Sequence, residues 1–191
     1  MTYQIIQPPF TLVFSEMSKK ELKNYNEWFH KVLPERLQIL VSAVQTTPGY
    51  EQWNPDFSPQ SLEILGKWFL GQVETRQRTR DEIEEIEGRS SFSMNFSDQE
   101  LTNRSFSLAI DIGMYLSQVF FKNHQSLKWS QPLDNKRSAD YGQPVLLGLG
   151  AVPFNPIGIA VTLAYGLVRK SRTGRRLREL YDHWSRQFQE Q

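Results

Sequence analysis

The stretch YGQPVLLGLGAVPFNPIGIAVTLAYGLV, residues 141–168, decides what kind of fold this chain has. It contains no charged residue, and Arg169 and Lys170 follow it at once, the arrangement found after a membrane span. Pro144, Pro153, Asn155 and Pro156 nevertheless divide it into pieces shorter than the ~20 apolar residues a crossing helix needs. The first piece reads as a short buried strand at 144–149. In the second, Asn155 is a helix cap and Pro156 fits the first helical position, so 157–168 reads as a buried helix. With a mean hydropathy of −0.52, the run predicts a soluble, cytoplasmic protein with a deep core.

Upstream, Leu127–Ser130 is a second strand candidate. A polar loop joins it to 144–149, which predicts an antiparallel hairpin. Before it, Ser97-Asp-Gln-Glu100 has the form of a capping box, and the longest helix is expected from there to about Asn123. Its apolar stripe is broad, with Leu101, Leu108, Ile112, Tyr115, Leu116 and Val119 at its centre, as for a helix packed on several sides. Downstream, Gly174 is a break, and Leu177, Leu180, Tyr181, Trp184 and Phe188 mark a final amphipathic helix.

The N-terminal half is also mainly helical. Tyr3–Ile6 and Phe10–Phe14 read as strands around Pro8-Pro9, and Ser18-Lys-Lys-Glu21 is a capping box. The helix it opens carries Leu22, Tyr25, Phe29 and Val32, meets Pro34 as a kink or a new start, and continues through Leu37, Leu40, Val41 and Val44. Ser58-Pro59 opens another helix, with Leu62, Leu65, Trp68 and Phe69 inward. Beyond Gly71, residues 74–87 read as its charged, exposed helical extension. The expectation is one α+β domain over 1–191, mainly α, with a small antiparallel sheet. Within it lie a charged exposed segment at 73–96 and, at 169–191, a basic run leading into the amphipathic helix.

Composition excludes several function classes. Twenty-two Lys and Arg face 21 Asp and Glu, so no global field favours polyanions. The absence of cysteine removes disulfides, thiolate metal sites and cysteine nucleophiles. The opening Met-Thr-Tyr-Gln-Ile-Ile-Gln-Pro-Pro lacks the basic start and apolar stretch of a signal peptide. His30, His124 and His183 are the only histidines, and Glu27/His30 is a single Glu-x-x-His without the second copy that a di-metal bundle needs. Gly148-Leu-Gly150 reaches Pro153 where a dinucleotide fingerprint needs a third glycine. No Gly-x-Ser-x-Gly elbow occurs. Asp81, Glu82, Glu84, Glu85 and Glu87 form a solvated charge run. No catalytic residue, metal or cofactor is therefore assigned.

Three regions remain as candidates. The first is basic: Arg169, Lys170, Arg172, Arg175, Arg176 and Arg178 place six cations within ten residues. They could complement the dipole of the apolar helix, pair with the acids at 81–87, or bind anionic lipid or nucleic acid. The second is a polar stripe on the long helix, where helical spacing aligns Glu100, Asn103, Arg104, Ser107, Asp111, Gln118 and Lys122. That stripe is expected to face water, with Asp111 bonded to Ser107; lining a cleft, Asp111 and Tyr115 would instead suit an enzyme. The third is the loop aromatics Tyr50, Trp53 and Phe57, which either anchor an interface or fold back over the core.

Phe14-Ser-Glu-Met-Ser-Lys-Lys-Glu21 through Trp28-Phe29 is similar to the opening of uncharacterised bacterial proteins of this size. Asp111-Ile-Gly-Met-Tyr-Leu-Ser-Gln-Val119, Lys128-Trp129 and Gln143-Pro-Val-Leu146 resemble their later half. Some proteins of this general type act as immunity or accessory proteins in bacterial conflict systems. The resemblance implies bacterial origin and a protein-binding, toxin-neutralising role, and it carries no catalytic residue. The expectation is therefore a non-enzymatic binder of another protein, or a homodimer using the same aromatics. A peripheral binder of anionic lipid or nucleic acid ranks second, and an enzyme built around Asp111 third.

Overall fold

A computed structural model describes residues 3–89, 97–148 and 152–189. Among them, six helices and four three-residue strands make an α+β fold that is mainly α. Helix α1 (Lys19–Gln45) starts at the expected capping box: Ser18 Oγ accepts from the Glu21 amide, and the Glu21 carboxylate accepts from the Ser18 amide at 2.8 Å. Its inward stripe is Leu22, Tyr25, Phe29, Leu33, Arg36, Leu40 and Val44, at steps of three and four. Pro34 is exposed on the opposite side and neither ends nor restarts the helix. Helix α2 (Ser61–Leu70) begins just after the Ser58-Pro59 turn, where Ser58 Oγ still accepts from the Ser61 amide.

The charged segment departs from its expected form. It does not extend α2; strand β1 (Thr75–Gln77) comes first, and a separate helix α3 (Arg80–Arg89) follows. The capping box expected at Ser97 is likewise absent. Glu100 lies in strand β2 (Gln99–Leu101), antiparallel to β1 with Arg76 opposite Glu100. Its carboxylate is taken by Arg76 and Arg78, and cannot turn back to cap a helix. Helix α4 (Asn103–Asn123) starts instead at Thr102, whose hydroxyl accepts from the Ser105 amide.

Strand β3 (Lys128–Ser130) pairs antiparallel with β4 (Val145–Leu147), as the hairpin reading expected. Leu146 also exchanges both backbone hydrogen bonds with Phe154, which brings the chain to Asn155. Asn155 Oδ1 accepts from the Gly158 amide at 2.8 Å and caps helix α5 (Pro156–Val168). Helix α6 (Arg176–Gln189) closes the fold against α2.

The core gathers around α4, which buries almost every residue from Ser105 to Phe120. Helix α5 crosses it most intimately, at Gly113: a Cβ there would stand 2.8 Å from the Ile157 Cα and the Pro156 carbonyl oxygen. Side-chain volume is traded for close backbone approach. No described helix is long and apolar enough to cross a membrane. The strands expected at 3–6 and 10–14 are not strands. Residues 3–8 form an extended strap that pairs with no strand and lies beside α1 and α4, burying Ile6 against Phe29 and Ile110.

Candidate functional site

Asp111 is not on a water-facing stripe; it is fully buried. Arg36, on the inward stripe of α1, forks onto it: Nε donates to Oδ1 at 2.9 Å and Nη2 to Oδ2 at 2.7 Å. Tyr3, from the strap, donates its hydroxyl to Oδ2 as well. The other Arg36 donors reach the Gln4 carbonyl at 2.9 Å and the Tyr3 hydroxyl at 2.8 Å. Ser107 accepts from the Ile6 amide at 2.8 Å and shares a hydrogen bond with Tyr3. At Ser107 and Asp111 the stripe faces inward because α1 and the strap cover it, whereas Asn103 and Lys122 at its ends are exposed.

Burial pushes the Asp111 carboxyl above the ordinary aspartate range, against the pull of the Arg36 hydrogen bonds and charge. Burial also opposes the Arg36 charge, but the bonds and charge of Asp111 outweigh it and hold the guanidinium above its usual value. Burial, then the Asp111 charge, raises the Tyr3 hydroxyl far beyond a free tyrosine. Recesses of about 350 and 420 Å³ flank the strap, and Asp111 lines neither. Chemically the cluster is a clamp that fastens the N-terminal strap to two helices. Arg104 adds to it, donating to the Gln72 carbonyl and side chain, with its guanidinium carbon 5.8 Å from the Tyr3 ring centroid.

Tyr115 is equally committed. Its hydroxyl donates to Ser61 Oγ at 2.8 Å and accepts the Phe57 amide at 3.3 Å. Its ring packs on Trp53 and Phe57, and burial pushes its pKa up to about 12. Trp53 is buried too, donating Nε1 to the Ser61 carbonyl at 3.0 Å, and Tyr50 packs half-buried against the core. The aromatic loop thus folds back over the core instead of presenting Trp53 outward.

The basic run behaves in two ways. Arg176 pairs with Glu179, and Arg178 with Glu63 and Asp182; among the described residues neither pairs with Asp81, Glu82 or Glu84. Arg169, Lys170, Arg172 and Arg175 are exposed. Arg169 lies 5.9 Å from the centroid of the Tyr165 ring.

One surface was not singled out in the sequence. Pro34, Leu37 and Val41 on the outer side of α1 face Pro55 and Phe57 across an open, mainly apolar groove of about 560 Å³. Leu37 and Val41, expected on the same apolar face as Leu40 and Val44, do pack half-buried against the core, and their outer sides form a wall of the groove. The opposite wall holds a strained residue, since Phe57 sits at φ +56, a conformation that costs a bulky side chain about 1–3 kcal/mol. The missed signal is the exposed Pro34 in line with Leu37 and Val41, at steps of three and four.

Among the described residues, no group of three or more His, Asp or Glu side chains could hold a metal. Comparison with protein families, with curated proteins and with solved structures gives no match.

Proposed function

We propose that this chain is a non-enzymatic protein-binding protein, and that the groove between α1 and Phe57 receives an amphipathic helix of a different protein. The observation that carries this is the groove itself, with apolar walls and a rim of Gln38, Ser42, Gln45 and Thr46 that bears no charge. A single helix stripe from Pro34 to Gln45 is about 17 Å long, at ~1.5 Å per residue. That suits anchors spaced at i, i+3 or i+4 and i+7 on a partner helix. A volume of about 560 Å³ admits a few anchor side chains, whereas a stable dimer needs ~800 Å² of matched surface per partner. The strain at Phe57 supports the same site, since positive-φ bulky residues cluster where ligands are clamped.

The polar atoms of Asp111 and Tyr115 are already engaged by Arg36, Tyr3, Ser61 and Phe57, which favours binding over catalysis. The likeness to immunity and accessory proteins of bacterial conflict systems points to a protein partner, a toxin being the specific case.

A photo-crosslinking residue at Gln38, expressed in the native host, tests this. One defined foreign protein should be captured, and Val41→Glu should abolish the adduct while the circular dichroism spectrum is unchanged. Capture that survives Val41→Glu, or of a second copy of this chain alone, would overturn the proposal.

A further inference from the structure

The connector between α5 and α6 is fixed at both ends. At one, the amides of Ser171 and Arg172 both donate to the Gly166 carbonyl, at 3.0 and 3.1 Å. At the other, Gly174 is buried against α2, where a Cβ on it would lie 2.6 Å from the Gly66 carbonyl oxygen and 2.8 Å from the Lys67 Cα. Arg169, Lys170 and Arg172 before Gly174, and Arg175 just after it, are held out to water. Lys170 adopts φ +54, the left-handed position after a helix end that favours glycine.

The Gly66–Gly174 contact sets this connector beside an exposed strip of α2. Ile64, Lys67 and Leu70 follow one another at steps of three, and Ile64 and Leu70 are 42% and 43% exposed. Among the described residues, neither Lys67 nor any of the four connector cations makes an ion pair. The neighbouring acids Glu63, Glu179 and Asp182 are engaged by Arg178 and Arg176. The connector and the adjoining outer strip of α2 thus carry, between them, five cations without an ion pair among the described residues and two exposed aliphatic side chains.

We propose that this face docks the protein on an anionic lipid bilayer, with phosphate headgroups at the cations and Ile64 and Leu70 entering the headgroup boundary. Each cation held near an anionic leaflet adds about fivefold to partitioning, so five supply roughly three orders of magnitude. Nucleic acid would use the cations but gain little from two aliphatic side chains, since strand binding draws on aromatic stacking. A lipid boundary uses both. The surface lies on α2 and the α5–α6 connector, apart from the α1 groove, and does not depend on the reading of that groove.

The test is co-sedimentation of the full chain with vesicles of about 30% phosphatidylserine in phosphatidylcholine, against phosphatidylcholine alone, at ~0.05 and ~0.5 M salt. Binding is expected only to the anionic vesicles and should fall steeply with salt. Lys170→Gly combined with Arg175→Gln should lower partitioning roughly 25-fold. A thermal melt of the same variant checks that it folds, and relief of the left-handed lysine favours that. Leu70→Ser should weaken binding severalfold with the charge unchanged. Equal binding to both vesicles, no binding to either, or indifference to these substitutions overturns the proposal. So does displacement from the vesicles by duplex DNA at equal charge concentration, which would assign the face to nucleic acid.

Discussion

The backbone amide of Phe57 donates to the Tyr115 hydroxyl at 3.3 Å, while the two rings lie 5.0 Å apart between centroids. The same hydroxyl holds Ser61 Oγ, so one phenol on α4 fixes both a wall of the groove and the start of α2. Tyr115→Phe leaves the Phe57 amide without its acceptor, while Ser61 Oγ keeps its bond to the Ser58 carbonyl, and should cost about 1–3 kcal/mol in chemical denaturation. It should also reduce the Gln38 adduct, because the wall at Phe57 loses its anchor. An unchanged stability would mean that water replaces the hydroxyl.

Arg36 and Asp111 should respond asymmetrically to substitution. Asp111→Ala strands a buried guanidinium and should cost about 3–5 kcal/mol, read from the denaturant midpoint. The joint change Arg36→Met with Asp111→Leu removes both charges and fills the space, so it should be far milder than Asp111→Ala alone. If the separate losses from Arg36→Met and Asp111→Leu simply add up to that of the joint change, the two side chains are not coupled.

Lys170→Gly should stabilise the chain. The left-handed conformation at φ +54 costs an L side chain about 1–2 kcal/mol, and the extra freedom of an unfolded glycine returns part of it. A net gain of about 0.5–1 kcal/mol is expected, visible as a higher Tm. A lower Tm would mean that the lysine side chain makes a contact of its own.

The pH dependence should carry a signature from Glu82. The hydrogen bonds from Arg76, then that from the Thr79 amide, lower its carboxyl from 4.5 to about 2. A depressed folded value means that its contribution to stability is present above about pH 4.5 and fades as the pH falls towards 2. The Glu82 side-chain resonance in an NMR titration should therefore have its midpoint near 2, and Arg76→Ala should raise it most of the way towards the ordinary glutamate value, the Thr79 bonds remaining. A midpoint above 4 in the unmodified chain would count against the pair.

What could be read from the sequence was local. Asn155-Pro156 acts within four residues, and the α5 helix starts where that pair predicts. The β3–β4 hairpin was readable because apolar residues at 144–149 are bounded by turn formers. The β1–β2 pair was not, since Thr75–Gln77 and Gln99–Leu101 lack alternation and are joined by cross-strand ion pairs. The Arg36–Asp111 clamp spans 75 residues, and no periodicity reports a contact at that distance. A clue was nevertheless present: an arginine between Leu33 and Leu40 on an inward stripe, and an aspartate between Ile110 and Ile112, are opposite charges each stranded among apolar neighbours. The α1 groove escaped because Leu37 and Val41 look the same on paper whether they face a core or an open wall.

The N-terminal strap has a kinetic consequence. Tyr3 reaches Ser107 and Asp111 across 104 and 108 positions, so its contacts close among the longest loops in the chain and carry a correspondingly large entropic cost. They should form late in folding, after α1 and α4 have met. In reverse, release of residues 3–6 would hydrate the Arg36–Asp111 pair before the helices part, making strap and ion pair one opening unit. The Ile6 amide, which donates to Ser107 Oγ at 2.8 Å, is the proton whose exchange with solvent would time that opening.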